Sequence, residues 1–205
     1  MAALFPLFLK LKKRNCLMVG AGEIGEGKIA GLLAAGAHVR VVAPKATKRI
    51  RKWSREGKVR WLRREFQDSD LAECLLVVAA TSSSKLHQRI SRLARRRGVL
   101  CNVVDVPELC DFYYPAVVRR GALQIAVSTS GESPALAQRL RKKLEKEFGP
   151  EYEAWLRELG KSRRKASAIF RDLSDRKTEL HAMASEESFQ AFLQKRSALP
   201  GKIKR

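Results

Sequence analysis

The chain has 205 residues and carries 42 Lys and Arg against 21 Asp and Glu, a formal net charge of +21. No run of about 18 apolar residues occurs, so no membrane-spanning helix is expected. The basic excess is spread over both halves and not gathered in one arm, which argues against a nucleic-acid partner.

In chain order, the opening "MAALFPLFLKLKKRN" reads poorly as a signal peptide, because its charges follow the apolar run, and a cytoplasmic location is expected. "CLMV" (16–19) is strand-like. A glycine turn follows, then a helical stretch, Glu23 to Ala35, with Ile24, Leu32 and Leu33 among its apolar positions. "VRVV" (39–42) is the next strand, 47–56 a helix with a basic face, and "VRWL" (59–62) a short strand. "LLVVAA" (75–80) is wholly apolar, as a strand covered on both faces must be. Residues 85–97 read as a helix closed by Gly98, and "LCNVV" (100–104) as another strand. This βαβα alternation predicts an α/β fold built on an open parallel sheet with helices on both faces.

The pattern then changes. "FYYPAVVRRGALQIAVST" holds two β-like runs joined at 119–122, an antiparallel pair. Ser133 is a natural N-cap and Pro134 suits the first helical position. Leu136, Leu140, Leu144 and Phe148 then recur every fourth residue as one apolar stripe. From Glu151 the chain is charged and helical in pattern, and "SALPGKIKR" is expected to be frayed or disordered.

Three places carry chemistry. Gly20-x-Gly22-x-x-Gly25 follows a strand and opens a helix, the setting in which this spacing cradles a pyrophosphate. Gly20 permits the turn, Gly22 lets the phosphates approach the backbone, and Gly25 lets helix and strand pack closely. The second strand, however, ends in Ala43-Pro44-Lys45, where an NAD ribose normally meets Asp or Glu. Lys45, Lys48 and Arg49 could accept a 2′-phosphate instead, or backbone around Pro44 and Lys45 could hold the ribose. Asp105 ends the strand "CNVVD", at the edge where such sheets bind ligands. Position alone leaves it equally a proton-transfer group or a carboxylate satisfying loop amides. Ser128 to Pro134 joins a strand to a helix N-terminus and forms an anion-binding corner.

The remaining candidates are bland. Cys16, Cys74, Cys101 and Cys110 form no CxxC pair and read as reduced thiols. His38, His87 and His181 lack partners at metal-ligand spacing and read as surface or structural residues, so no metal site is expected.

Taken in order, "VGAGEIGEGKIAGLLAAGAHVRVVAP", "LVVAAT" and "NVVDVPELCDFYYPAVVRRGALQIAVSTSGESPALAQRLRKKLE" resemble the siroheme synthase dehydrogenase/ferrochelatase family, most closely its stand-alone precorrin-2 dehydrogenases. The resemblance runs from about Pro6 to Phe148. It implies an NAD-binding Rossmann-like domain over 1–113, a small dimerisation region over 114–149 forming a homodimer, and a helical domain over 150–205.

The implied reaction is oxidation of precorrin-2 to sirohydrochlorin with NAD⁺, in some members followed by insertion of Fe²⁺; cobalt, as Co²⁺, is the other candidate metal substrate. The family's essential aspartate falls on Asp105. Its cofactor contacts fall on Gly22, Glu23, Ile24, Pro44 and Lys45, with Thr81 near the nucleotide, and its substrate loop on Ser128, Thr129, Ser130 and Gly131. The resemblance favours NAD⁺ over NADP⁺ and removes the anomaly of the missing acidic residue. "AATSSS" departs from relatives that carry Asp or Asn after the Thr. The methyltransferase domain of the trifunctional enzymes has no counterpart, which implies that another protein supplies precorrin-2. Two other readings stay open, a non-catalytic NAD(H)-binding regulator and a tetrapyrrole-binding carrier.

Overall fold

Apolar runs of four or five residues form the centre of the first part of the chain. In the computed structural model, which describes residues 4–169 and 172–197, they lie side by side in one parallel sheet. Its strands are β1 (Asn15–Val19), β2 (His38–Val42), β3 (Val59–Leu62), β4 (Leu76–Ala79) and β5 (Leu100–Val103), ordered β3-β2-β1-β4-β5. β1 is the middle strand, with Leu17 opposite Arg40 of β2 and Val77 of β4. The order reverses direction beside β1, which opens a crevice at the carboxyl ends of β1 and β4.

Side chains alternate across this sheet. Cys16, Met18, Val41 and Val78 face one apolar layer with Ile29, Leu32, Ile50 and Trp53 of the helices α1 (Glu23–Ala34) and α2 (Lys48–Arg55). Leu17, Val19, Val77 and Cys101 face the other layer, with Ile90 and Ala94 of α3 (Ser84–Arg96). Thr47 and Ser83 cap α2 and α3, accepting from the Ile50 amide at 3.2 Å and the Leu86 amide at 3.3 Å. On α1 the buried positions are Gly25, Ile29 and Leu32. Ile24, expected among the apolar positions, is 57% exposed, because it is turned about 100° from Gly25 on the helix.

A short 3-10 turn, Asp68–Leu71, closes the β3–β4 connection around a buried carboxylate. Both oxygens of Asp70 accept from Arg64, at 2.6 and 2.8 Å, and one also accepts from the Gln67 amide at 2.9 Å.

Residues 1–114 and 115–205 form two units. The second begins with the antiparallel hairpin β6 (Ala116–Arg120) and β7 (Leu123–Val127), turned at Gly121-Ala122 with Gly121 at φ +59°. Arg119 and Arg120, expected in the connection, belong to β6. The helix α4 (Pro134–Glu147) packs on this hairpin through buried Ala137. Arg120 donates to the carbonyls of Phe148 and Glu145 at 2.8 Å each, a cation at the negative end of α4. The helices α5 (Glu151–Ile169), α6 (Leu173–Met183) and α7 (Glu186–Ser197) complete the unit. Tyr152, Trp155 and Phe189 join α5 to α7, with ring centroids 4.6 to 5.8 Å apart. Of the tail expected to fray, Ser197 is the last residue of α7, and 198–205 lie outside the described residues. No described helix is long and apolar enough to cross a membrane.

Candidate functional site

The glycine turn lies where β1 meets α1. Gly20 has φ +101°, and a Cβ there would collide with the Ala80 carbonyl oxygen and stand 3.2 Å from the Thr81 methyl. A Cβ on Gly25 would stand 2.9 Å from the Gly20 carbonyl oxygen. Gly22 differs: its missing side chain would project into open space. No side chain caps α1 at Gly22. An uncapped helix N-terminus, reached across a glycine with nothing in front of it, fits the pyrophosphate of a dinucleotide. Glu23 and Ile24 stand exposed in this first turn.

The end of β2 is shaped by backbone. The Trp61 indole donates to the Ala43 carbonyl at 2.9 Å, and the Thr47 hydroxyl donates to the Glu26 carboxylate at 2.7 Å. Pro44 and Lys45, both exposed, line a cavity of about 460 Å³ with Ala46, Arg51, Trp61 and Arg63. No carboxylate lines it, so an adenosine ribose placed there would meet backbone groups and cations.

Asp105 stands in the turn after β5. The Val106 amide closes this turn onto the Val103 carbonyl at 3.3 Å, and Asp105 takes φ +59°. Its carboxylate is exposed and accepts no hydrogen bond from a described residue. The carboxylate that satisfies a buried amide in this region is Asp111, which accepts from the Cys101 N–H at 2.9 Å. The turn is fastened from behind by Cys110, whose thiol donates to the Val103 carbonyl at 3.1 Å and accepts from the Val103 amide at 3.2 Å. Burial pushes the Lys28 ammonium down, and the nearby Asp105 opposes that shift. Lys28 sits over the Tyr114 ring, 3.7 Å from its centre.

Thr81 follows β4 and touches the glycine turn. Its hydroxyl lies 2.9 Å from Nε2 of His87, and its amide donates to the same nitrogen at 3.4 Å. His87 is 6% exposed, and burial pushes its pKa below the ordinary 6.5. Sequence reading placed His87 on a helix face without a role; nothing in a lone histidine shows that a loop six residues earlier folds back onto it.

The Ser128–Gly131 loop belongs to the second unit. Ser130 (φ +53°) and Gly131 (φ +89°) turn the chain toward α4. The Ser128 hydroxyl accepts from the Ser130 amide at 3.1 Å, and the Thr129 hydroxyl from the Ser133 amide at 3.1 Å. Ser133 caps α4 by accepting from Leu136 at 3.2 Å.

Thr81 and Gly25 thus each pack beside Gly20, and Pro44 and Lys45 share one cavity, all within residues 1–114 with Asp105; Ser128–Gly131 lie in the other unit. Among the described residues, no group of three or more His, Cys, Asp or Glu could hold a metal ion. Cys16 and Cys101 are buried free thiols, pushed up to about 11 and about 12 by burial; Cys74 and Cys110 are free and half-buried.

Comparison with known proteins adds independent findings. A family model described as "Putative NAD(P)-binding" matches residues 7–116, and one described as "Sirohaem biosynthesis protein central" matches residues 120–147. Siroheme synthases of Nitrosococcus oceani and Nitrosospira multiformis are 41% and 45% identical over 68% of the chain. The chain spans only 30% of the length of each. Among solved structures, "SirC, precorrin-2 dehydrogenase" superposes with a TM-score of 0.76 at 27% identity, covering 96% of this chain and 100% of its own.

Proposed function

The chain belongs to this NAD(P)-binding family of sirohaem biosynthesis, and on that premise we propose that it oxidises precorrin-2 to sirohydrochlorin with NAD⁺ as hydride acceptor. The observation that carries the proposal is the end-to-end likeness to a precorrin-2 dehydrogenase, 96% of one chain on 100% of the other. An unengaged carboxylate at the carboxyl edge of the sheet supports it.

NAD⁺, when bound, supplies the hydride-accepting centre. The chain's residues do the rest. Gly20, Gly22 and Gly25 let the pyrophosphate reach the N-terminal amides of α1, which Glu23 and Ile24 carry into the helix. Pro44 and Lys45 take the adenosine end, and Thr81 borders the nucleotide. Asp105 accepts the proton that leaves with the hydride, a role open to it because no neighbouring amide occupies its oxygens. Ser128, Thr129, Ser130 and Gly131, with the N-terminal end of α4, take substrate carboxylates. A pigment with many carboxylates suits a chain of net charge +21. Its exposed Asp105 also favours an enzyme over a non-catalytic regulator or carrier.

The hairpin and α4 (114–149) form the dimerisation region, and α5, α6 and α7 a helical domain. Leu136 and Leu140 of α4 are each 37% exposed in the protomer, an apolar stripe that a second copy would cover. The free thiols support a cytoplasmic location.

The test is an anaerobic assay with precorrin-2 and NAD⁺. Stoichiometric NADH and sirohydrochlorin are expected; no NADH above a no-enzyme control rejects the proposal. Fe²⁺ or Co²⁺, added afterwards as substrate, reads metal insertion in the same vessel.

A further inference from the structure

Resting on the dinucleotide-binding reading above, we propose that His87 is a positioning residue for the cofactor: as a neutral imidazole it fixes Thr81 against the glycine turn, and its protonation lowers cofactor affinity.

The geometry defines the proton state. The Thr81 amide can only donate, and it points at Nε2 of His87 at 3.4 Å. Nε2 is therefore the acceptor nitrogen, and the proton of the neutral ring is on Nδ1. The Thr81 hydroxyl, 2.9 Å from the same Nε2, must then donate to it as well. With its hydrogen committed, this oxygen faces the Ser83 amide as acceptor at 3.4 Å. One nitrogen thus sets the rotamer of Thr81 and the path of the loop from β4 to α3. That rotamer carries the Thr81 methyl to 3.2 Å from the Cβ position of Gly20, the first glycine of the phosphate turn.

Protonation would reverse this. An imidazolium has no acceptor, so Nε2–H would confront the Thr81 amide donor in a site 6% exposed to water. The Thr81 hydroxyl must turn its hydrogen away to accept from Nε2–H, and the Thr81 amide loses its acceptor, which loosens the loop beside the glycine turn. The fold keeps the ring neutral near pH 7: it is buried, and it lies in the first turn of α3, at the positive end of the helix.

The charged groups on the elements around α3 have other partners. Arg89 pairs with Asp68 of the 3-10 turn at 2.5 Å, and Asp70 of that turn with Arg64 at 2.6 Å. Arg95 lies 3.9 Å from Asp111 and donates to the carbonyl of Glu108, in the second 3-10 turn (Pro107–Leu109), at 3.3 Å. Lys85, Arg92 and Arg96 are exposed on α3 itself; β4 brings no titratable side chain and β5 only Cys101. None of these charges contributes to the His87 shift.

Two measurements test the proposal, both with NADH as the probe and the full chain. The first is a fluorescence titration from pH 8 to 5.5 at constant ionic strength, with thermal melts confirming the folded state at each pH. Wild type should lose affinity progressively as the ring protonates, toward a limit of roughly tenfold, the effect of losing one buried hydrogen bond. His87→Leu should bind weakly at every pH. His87→Gln, which offers a non-titrating acceptor, should recover most of the loss and flatten the profile. KM for NAD⁺ should follow these affinities while kcat at saturation holds.

The second needs no variant. If NADH prefers the neutral ring, binding must lower the His87 pKa by the same coupling, which NMR titration can read in a chain with three histidines. A flat wild-type profile, a His87→Gln profile that titrates like wild type, or a His87 pKa unmoved by NADH overturns the proposal. Absence of NADH binding at pH 8 overturns the dinucleotide reading beneath it.

Discussion

The indole N–H of Trp61 on β3 is bonded to the carbonyl of Ala43, one residue past β2, at 2.9 Å. That bond fixes the backbone from which Pro44 and Lys45 project, at the place where other dinucleotide folds present a carboxylate. Trp61→Phe keeps most of the ring and removes the donor. It should weaken NAD⁺ binding several-fold and cost about 1 kcal/mol of stability. Wild type should bind NAD⁺ more tightly than NADP⁺ at equal salt. Calorimetry on both cofactors checks this; the reverse order would hand the adenosine end to Lys45, Arg51 and Arg63.

Gly20 and Gly22 should fail in different ways. Gly22→Ala adds a methyl to open space, so thermal stability should hold while NADH affinity falls by an order of magnitude or more. Gly20→Ala meets the Ala80 carbonyl oxygen at φ +101° and should destabilise the fold itself. Comparing melting curves with NADH titrations separates the two; loss of stability in Gly22→Ala would show that the turn is structural only.

Asp105→Asn should keep the fold and lower dehydrogenation by roughly 10²–10⁴-fold, the usual worth of a general base. Asparagine is the right replacement because it tolerates φ +59° about as well as aspartate, whereas alanine would add strain of about 1 kcal/mol. Single-turnover oxidation at saturating substrate and NAD⁺ decides it. A near-wild-type rate would return Asp105 to a structural role.

Light scattering at micromolar concentration should show a dimer. Leu136→Lys with Leu140→Lys should give a folded monomer, because both side chains are exposed in the protomer and carry little of its own core. A wild-type monomer would leave the α4 stripe without a partner.

Asp70 supplies an acid-sensitive element. Burial pushes its carboxyl up, but the Arg64 hydrogen bonds, the Gln67 amide and the charges of Arg64 and Arg40 outweigh that and hold it below the ordinary 3.8. A depressed carboxylate stabilises the fold above its unfolded-state value and loses that contribution as pH falls through its folded value. Asp70→Asn should therefore melt about 3–6 °C lower than wild type at pH 7. The gap should close below about pH 4. A gap independent of pH would assign the loss to packing.

How much of this was legible in the sequence depended on periodicity. "CLMV", "LLVVAA" and the glycine spacing gave the sheet and the phosphate turn, because buried parallel strands must be apolar and a tight turn beside a strand needs glycine. The ends of α1 to α4 came out within a residue or two, with Thr47, Ser83 and Ser133 capping three of them, while the division of the region after Glu151 into α5, α6 and α7 was not read. Ile24 counted among the apolar positions of α1, but its angle around the helix, which sets its exposure, was not read. Asp70 with Arg64, and Thr81 with His87, stayed hidden for another reason: each pairing is made by a loop folding back, and loops carry no repeat to read. Position alone marked Asp105 as a candidate and left its role evenly divided; the family resemblance gave it one. The structure adds that Asp111 accepts from the buried Cys101 amide, while Asp105 accepts no hydrogen bond from a described residue.

The central place of β1 also sets an order in time. Leu17 pairs with Arg40 and with Val77. A chain growing from its N-terminus completes β1, α1 and β2 while β4 is still unmade, so the first pairing closes a short loop and the second must wait for a much longer one. β1, which ends in the middle of the sheet, therefore keeps one exposed edge until β4 (Leu76–Ala79) has been made. Refolding from denaturant should be paced by the arrival of β4, the distant partner, and not by the local β1–β2 unit.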